Sequence, residues 1–89
     1  MRGRKPLPLR IAPGDRDVLQ GLANGAGGRR YQITRARIIL AVAAGERIRV
    51  IASRHDCAES TVWRLCRRYE NGGLTALLAD GRRSLVRQR

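Results

Sequence analysis

The chain has 89 residues, 19 of them basic and seven acidic, giving a net charge of +12. That length allows one small domain with a modest core, and the positive excess repels itself unless an anionic partner, most commonly nucleic acid, screens it. Two cysteines do not make a secreted disulfide framework, no apolar run approaches the roughly 18 residues of a membrane span, and the N-terminus "MRGRKPLPLR" lacks the apolar centre of a signal peptide.

The protein is therefore expected in the cytoplasm, associated with the nucleoid if it binds DNA. Eighteen of the 19 bases are Arg and only Lys5 is Lys. The arginine fork fits phosphate and the guanine edge. Codon bias in a GC-rich genome would favour Arg over Lys equally well, but it does not explain the excess over Asp and Glu.

Residues 1–10 hold four bases, two prolines and no acid, a composition that reads as an extended basic arm. Arg2, Arg4 and Lys5 lie in "RGRKP", which is similar to the core of an AT-hook, a minor-groove arm. Lys5 stands where the hook has proline, and a solvated tail with loose phosphate contacts is the competing reading. "IAPGDRDVLQGLANG" predicts a first helix. Pro13 suits its first turn, Asp15 and Asp17 suit its positive end, and Asn24-Gly25 suits its stop. Val18, Leu19 and Leu22 form its expected apolar stripe, and "AGGRR" follows as a flexible loop.

"YQITRARIILAVAAG", residues 31–45, carries the strongest helical pattern. Ile33, Ala36, Leu40 and Ala43 or Ala44 mark the expected buried face, with Ile39 beside it and Arg35 and Arg37 pointing elsewhere. Gly45 is a natural C-cap. "ERIRVIASRHD" predicts a short helix over about residues 47–54, with Ile48, Ile51 and Ala52 as its stripe. In "STVWRLCRRY", residues 60–69, Val62, Leu65, Cys66 and Tyr69 fall on one face and Ser60, Arg64 and Arg67 on the other. Asn71-Gly72-Gly73 ends that helix, "LTALLAD" forms a last short one burying Leu74, Leu77 and Leu78, and "GRRSLVRQR" is a second basic tail.

From Ile48 to Arg67 the spacing is that of a helix-turn-helix, in which the first helix crosses the phosphate backbone and the second enters the major groove. Ala52 lets the helices cross closely. The turn falls at about His55 to Cys57, with Asp56 where glycine usually takes the left-handed backbone. Ala58 stands where Ser or Thr usually caps the second helix.

Ser60, Arg64 and Arg67 are the expected base readers, with Arg64 able to make a bidentate pair with guanine. Arg47, Arg49, Arg54, Thr61 and Arg68 are the expected phosphate contacts, and Arg82 and Arg83 join the N-terminal bases as minor-groove candidates. Glu59 reads as a helix cap ahead of a cytosine contact, and Trp63 as packing ahead of a thymine-methyl contact. His55 reads as a half-buried packing residue. Zinc needs four ligands, and His55 with Cys57 and Cys66 supplies three at poor spacing; no metal, cofactor or catalytic residue is expected.

The stretch "ARIILAVAAGERIRVIASRHDCAESTVWRLCRRYENGGLTALLAD" resembles the N-terminal helix-turn-helix domain of bacterial insertion-sequence transposases of the mariner-like group. The likeness runs from about Ile11 to Arg83, and the core of the pattern is shared with many homeodomain-like regulators. The resemblance implies binding to the terminal inverted repeats of an element. In that family a Gly-Arg-Pro-Arg linker often leads to a second DNA-binding unit; Gly81-Arg82-Arg83 stands where it would start, without the proline. The family's catalytic part is an RNase H-like domain with three metal-holding carboxylates, which this sequence does not supply. The chain is then expected to be a fragment, a split reading frame or a freestanding regulator, and not an enzyme.

The expected fold is all-α: a small homeodomain-like helix-turn-helix bundle of four to five helices with basic tails at both ends. Residues 1–10 are the N-terminal arm, 11–80 the DNA-binding domain and 81–89 the C-terminal tail or linker. The expected partner is double-stranded DNA, with no membrane; a second copy of the chain or a separate catalytic transposase domain is left open. The alternative is a small helical protein-interaction or assembly module whose basic surface binds nucleic acid only non-specifically. RNA binding is disfavoured because Tyr31, Trp63 and Tyr69 are too few for a stacking surface.

Overall fold

A computed structural model describes residues 9–25 and 27–79. They form four helices, α1 (Pro13–Ala23), α2 (Arg30–Ala43), α3 (Ile48–Arg54) and α4 (Glu59–Leu78), with no strand among the described residues. The all-α expectation holds. The bases expected in the two arms, Arg2, Arg4, Lys5, Arg82 and Arg83, lie outside the described residues.

Proline at the start of α1 fixes a helical φ where no intrahelical N–H is needed. Its N-cap, Ala12, has no side chain able to cap. The Tyr69 hydroxyl substitutes from a distance: it accepts the Ala12 N–H at 3.2 Å and donates to Asp15 Oδ2 at 2.7 Å. Burial first, and then the bond to Asp15, push the Tyr69 phenol above its ordinary pKa of 10.0, so it stays a donor. Leu19 is fully buried and Leu22 half-buried, but Val18 is 46% exposed. Among the helices, α1 packs chiefly on α2. Val18 lies about 100° around the helix from Leu19 and turns away from that contact.

α2 is the central strut, packed by α1, α3 and α4. Its buried residues are therefore not one stripe but Ala36, Ile38, Ile39, Ala41 and Val42, spread around the helix. Ile33 and Leu40, expected at the centre of the buried face, are half-buried, and Ala44 is exposed. Gly45, with φ 89, ends the helix. Its N–H donates to the Val42 carbonyl and that of Glu46 to Ala41, the paired bonds of a left-handed C-cap.

Ile48, Ile51 and Ala52 of α3 are buried. Asp56 takes the left-handed turn with φ 53, and the Cys57 N–H donates to the Ala52 carbonyl at 2.9 Å. α4 begins at the extended Ala58 with no side-chain cap bond. Val62, Leu65, Cys66 and Tyr69 are all buried on one face, as their spacing predicts.

The expected last short helix is the end of α4, set off by a break at Gly73 (φ 69, ψ −161). Beyond the break Leu77 is fully buried. Its terminal carbonyls are held from α2. Arg35 Nη1 donates to Leu77 O at 2.9 Å and Ala79 O at 2.8 Å, while Tyr31 Oη and Gln32 Nε2 each donate to Leu78 O at 3.2 Å. The Arg35 guanidinium also lies 4.7 Å from the centre of the Tyr31 ring. Arg35, expected to point away, is thus a structural cap. So is Arg37, whose Nε donates to the Ala23 carbonyl at the end of α1 at 2.9 Å. Leu9 joins the core at 7% exposure, so packing reaches into the segment read as an arm.

Two substitutions test this framework. No heavy atom lies within 4 Å of a Cβ built on Gly73, so Gly73→Ala meets strain rather than a clash. Its backbone region is essentially glycine-only, and the variant should lose about 1–3 kcal/mol in urea unfolding. Tyr69→Phe should lose about 1–2 kcal/mol by removing both hydroxyl bonds, with exchange protection falling first at the amides that open α1.

Candidate nucleic-acid interface

The buried stripe of α4 leaves its other side to solvent. Ser60, Arg64 and Arg67 are all exposed, opposite the core. Asn71 extends this row at the same helical spacing and is also exposed. In the sequence pattern Asn71 belongs to the stop formed with Gly72-Gly73. In the structure the helix runs intact to that point, and the 3.6-residue period that selects Arg64 and Arg67 selects Asn71 too. No acid lies in this row. Glu59 and Glu70 occupy one flank of α4 together with Trp63, whose ring packs half-buried against the core.

The remaining expected contact residues divide into groups. Arg47, the N-cap of α3, and Arg49 are exposed at the start of the bent helical pair. Arg54 is also exposed but pairs with Glu46, the one ion pair among the described residues. An exposed pair of this kind contributes little stability and leaves Arg54 partly neutralised. Thr61 and Arg68 are half-buried, turned from the outward row toward a cleft of about 750 Å³ between α4 and the start of α2.

Thr61, Arg64 and Arg68 line the cleft on the α4 side, and Arg29 and Arg30 face them from α2. Leu65 and Ile38 contribute apolar lining, Cys57 and His55 approach from the turn, and no Asp or Glu among the described residues lines it. In the sequence Arg29 and Arg30 close the "AGGRR" loop. No local periodicity marks them, because their relation to Arg64 and Arg68 exists only once α2 packs on α4.

The thiols differ sharply. Cys66 is fully buried, and burial followed by the charge of Glu70 pushes its pKa from 9.0 up to about 11. Cys57 is half-buried at the cleft. Among the described residues, no three His, Cys, Asp or Glu side chains gather into a group that could hold a metal. No helix there is long and apolar enough to cross a membrane.

His55 is half-buried, as expected. Burial, then the charges of Arg54 and Arg37, hold its pKa below 6.5 against the weaker pull of Glu46. An imidazole depressed in the fold protonates first in the unfolded chain. The stability it contributes is therefore complete above about pH 6.5 and declines as the pH falls below that value. Urea unfolding at stepped pH should show this decline in the wild type and a flatter profile in His55→Gln.

Comparison with known proteins agrees with this architecture. Residues 30–78, more than half of the chain, match the model of the homeodomain-like domain. No curated protein and no solved structure matches the sequence. The matched span covers α2, α3, the Asp56 turn and α4, the elements that build the outward arginine row and the cleft. A bent helical pair braced by a third helix, with a basic and acid-free outward row, and a family match over those same residues make this chain a member of the homeodomain-like helix-turn-helix family, a DNA-binding fold.

Proposed function

We propose that the chain reads a specific sequence in double-stranded DNA, as the end-recognition module of a mariner-like insertion-sequence transposase or as a freestanding regulator built from the same module. The observation that carries this is the row Ser60, Arg64, Arg67 and Asn71, exposed along a helix whose opposite stripe is fully committed to the core. α4 enters the major groove. Arg64 and Arg67 supply forks for the O6 and N7 atoms of guanine, and Asn71 supplies the amide pair that suits adenine. Ser60 near the start of the helix reaches a base or a phosphate.

Arg47 and Arg49 hold the backbone that α3 crosses, and Thr61 and Arg68 hold it beside α4. Arg54 contributes less because Glu46 shares its charge. The bases of the two arms, Arg2, Arg4, Lys5, Arg82 and Arg83, add contacts in or near the minor groove. The transposase reading rests on the resemblance of the sequence to the end-binding domains of that group. On it, strand transfer belongs to a separate catalytic domain, and the protein works on the cytoplasmic nucleoid.

Selection from random duplexes should enrich one site. Against that site Arg64→Ala should lose about 1–3 kcal/mol and relax preference at a single base position. Equal weakening on every sequence would remove Arg64 from base reading, and failure to enrich any site would reject sequence-specific recognition.

A further inference from the structure

The cleft between α2 and α4 concentrates charge that the described residues do not balance. Arg29, Arg30, Arg64 and Arg68 line it, and no carboxylate among the described residues does. The only ion pair among the described residues is elsewhere, between Arg54 and Glu46. Arg35, which also lines the cleft, is turned to the carbonyls that end α4. The start of α2 is ordered: the Gln32 side chain accepts the Arg29 N–H at 3.1 Å, and the Gln32 N–H donates to the Arg29 carbonyl at 2.9 Å. The backbone at Arg29 and Arg30 is therefore fixed at the start of α2 rather than carried on a loose loop.

The two flanks of α4 also differ in sign. The flank toward the cleft carries Thr61, Arg64 and Arg68; the other carries Glu59 and Glu70. A helix lying in a groove has a phosphate strand on each side. The strand beside Glu59 and Glu70 is repelled, whereas the strand beside the cleft meets the guanidinium groups of Arg29, Arg30 and Arg68. We infer that the cleft takes the phosphate backbone of one strand of the duplex, with Arg29 and Arg30 gripping it opposite Thr61 and Arg68, while Arg64 at its rim stays on the base edge. The domain then sits off-centre in the groove, drawn to one strand. This rests on the major-groove reading of α4 and adds to it the second wall of the backbone site.

The test compares two charge-matched double variants on the selected duplex. Arg29→Gln/Arg30→Gln removes one wall of the cleft. Arg16→Gln/Gln20→Glu lowers the net charge by the same amount at two exposed positions of α1 that do not line it. The cleft variant should bind on the order of tenfold more weakly at moderate salt, and its salt slope should be shallower by about 2, because two phosphate contacts are gone. Its base preference should be unchanged, and the control pair should lose much less. Equal losses in the two pairs, or an unaltered salt slope in the cleft variant, would overturn the inference while leaving sequence-specific binding intact. A wild-type protein that prefers no duplex would overturn both.

Alkylation supplies a readout independent of charge. Cys57 lies at the cleft, while Cys66 is buried and serves as the silent internal reference. Saturating duplex should slow iodoacetamide labelling of Cys57 several-fold. Labelling at an unchanged rate would show the cleft empty in the complex. Protection by millimolar inorganic phosphate as strong as that by duplex would assign the cleft to a small anion. Either result overturns the proposal.

Discussion

The structure depends on the burial of one stripe of α4. Val62, Leu65, Cys66 and Tyr69 are all at most 7% exposed. Burying a large apolar side chain contributes roughly 1.5–3 kcal/mol as an upper figure. Rolling α4 by half a turn would give up that burial and drive unpaired guanidinium groups inward, at a cost of several kcal/mol each. The packing of the inner face therefore fixes the orientation of the outer one. No charged side chain among the described residues is fully buried, so nothing in the core competes with that choice.

Around this helix, α2 acts as a brace through polar groups as well as apolar ones. Arg35, Tyr31 and Gln32 hold the carbonyls that end α4, and Arg37 holds the end of α1. These contacts satisfy helix-end acceptors for which no further turn exists. They also show that the net charge of the chain is not all available to an anionic partner. Some arginines are spent as internal caps, and Arg54 is partly matched by Glu46. The basic surface that remains is organised by position: an outward row on α4, a cleft beside it, and an acidic flank on the far side.

The joint between α3 and α4 is built from weaker parts. Asp56 holds a left-handed backbone where glycine would meet no Cβ strain, and Ala58 leaves the first amides of α4 without a side-chain cap. Both features lower the cost of local fraying at the end of the helix that carries Ser60 and Thr61. Phosphates at that helix end would satisfy the uncapped amides, and a ligand that binds only the folded state stabilises it by mass action.

The sequence by itself determined the helices that bury a single stripe. The spacing of Val62, Leu65, Cys66 and Tyr69, and of Ile48, Ile51 and Ala52, gave both the bent pair and its exposed arginines, because one-sided burial leaves a period of 3.6 in the residue pattern. Gly45 and the Gly72-Gly73 pair were legible as stops for the same local reason. Tertiary structure alone decided the rest. α2 is packed on several sides, so its buried residues follow no single stripe. The spacing of α1 puts Val18 in its apolar stripe, yet Val18 lies outside the core, because only the placement of α1 on α2 selects which side of α1 is covered. The roles of Arg35 and Arg37 as caps, the bond of Tyr69 to the start of α1, and the meeting of Arg29 and Arg30 with Arg64 and Arg68 all join residues far apart in the chain. Such meetings depend on how the helices dock, and docking leaves no periodic mark in a single sequence.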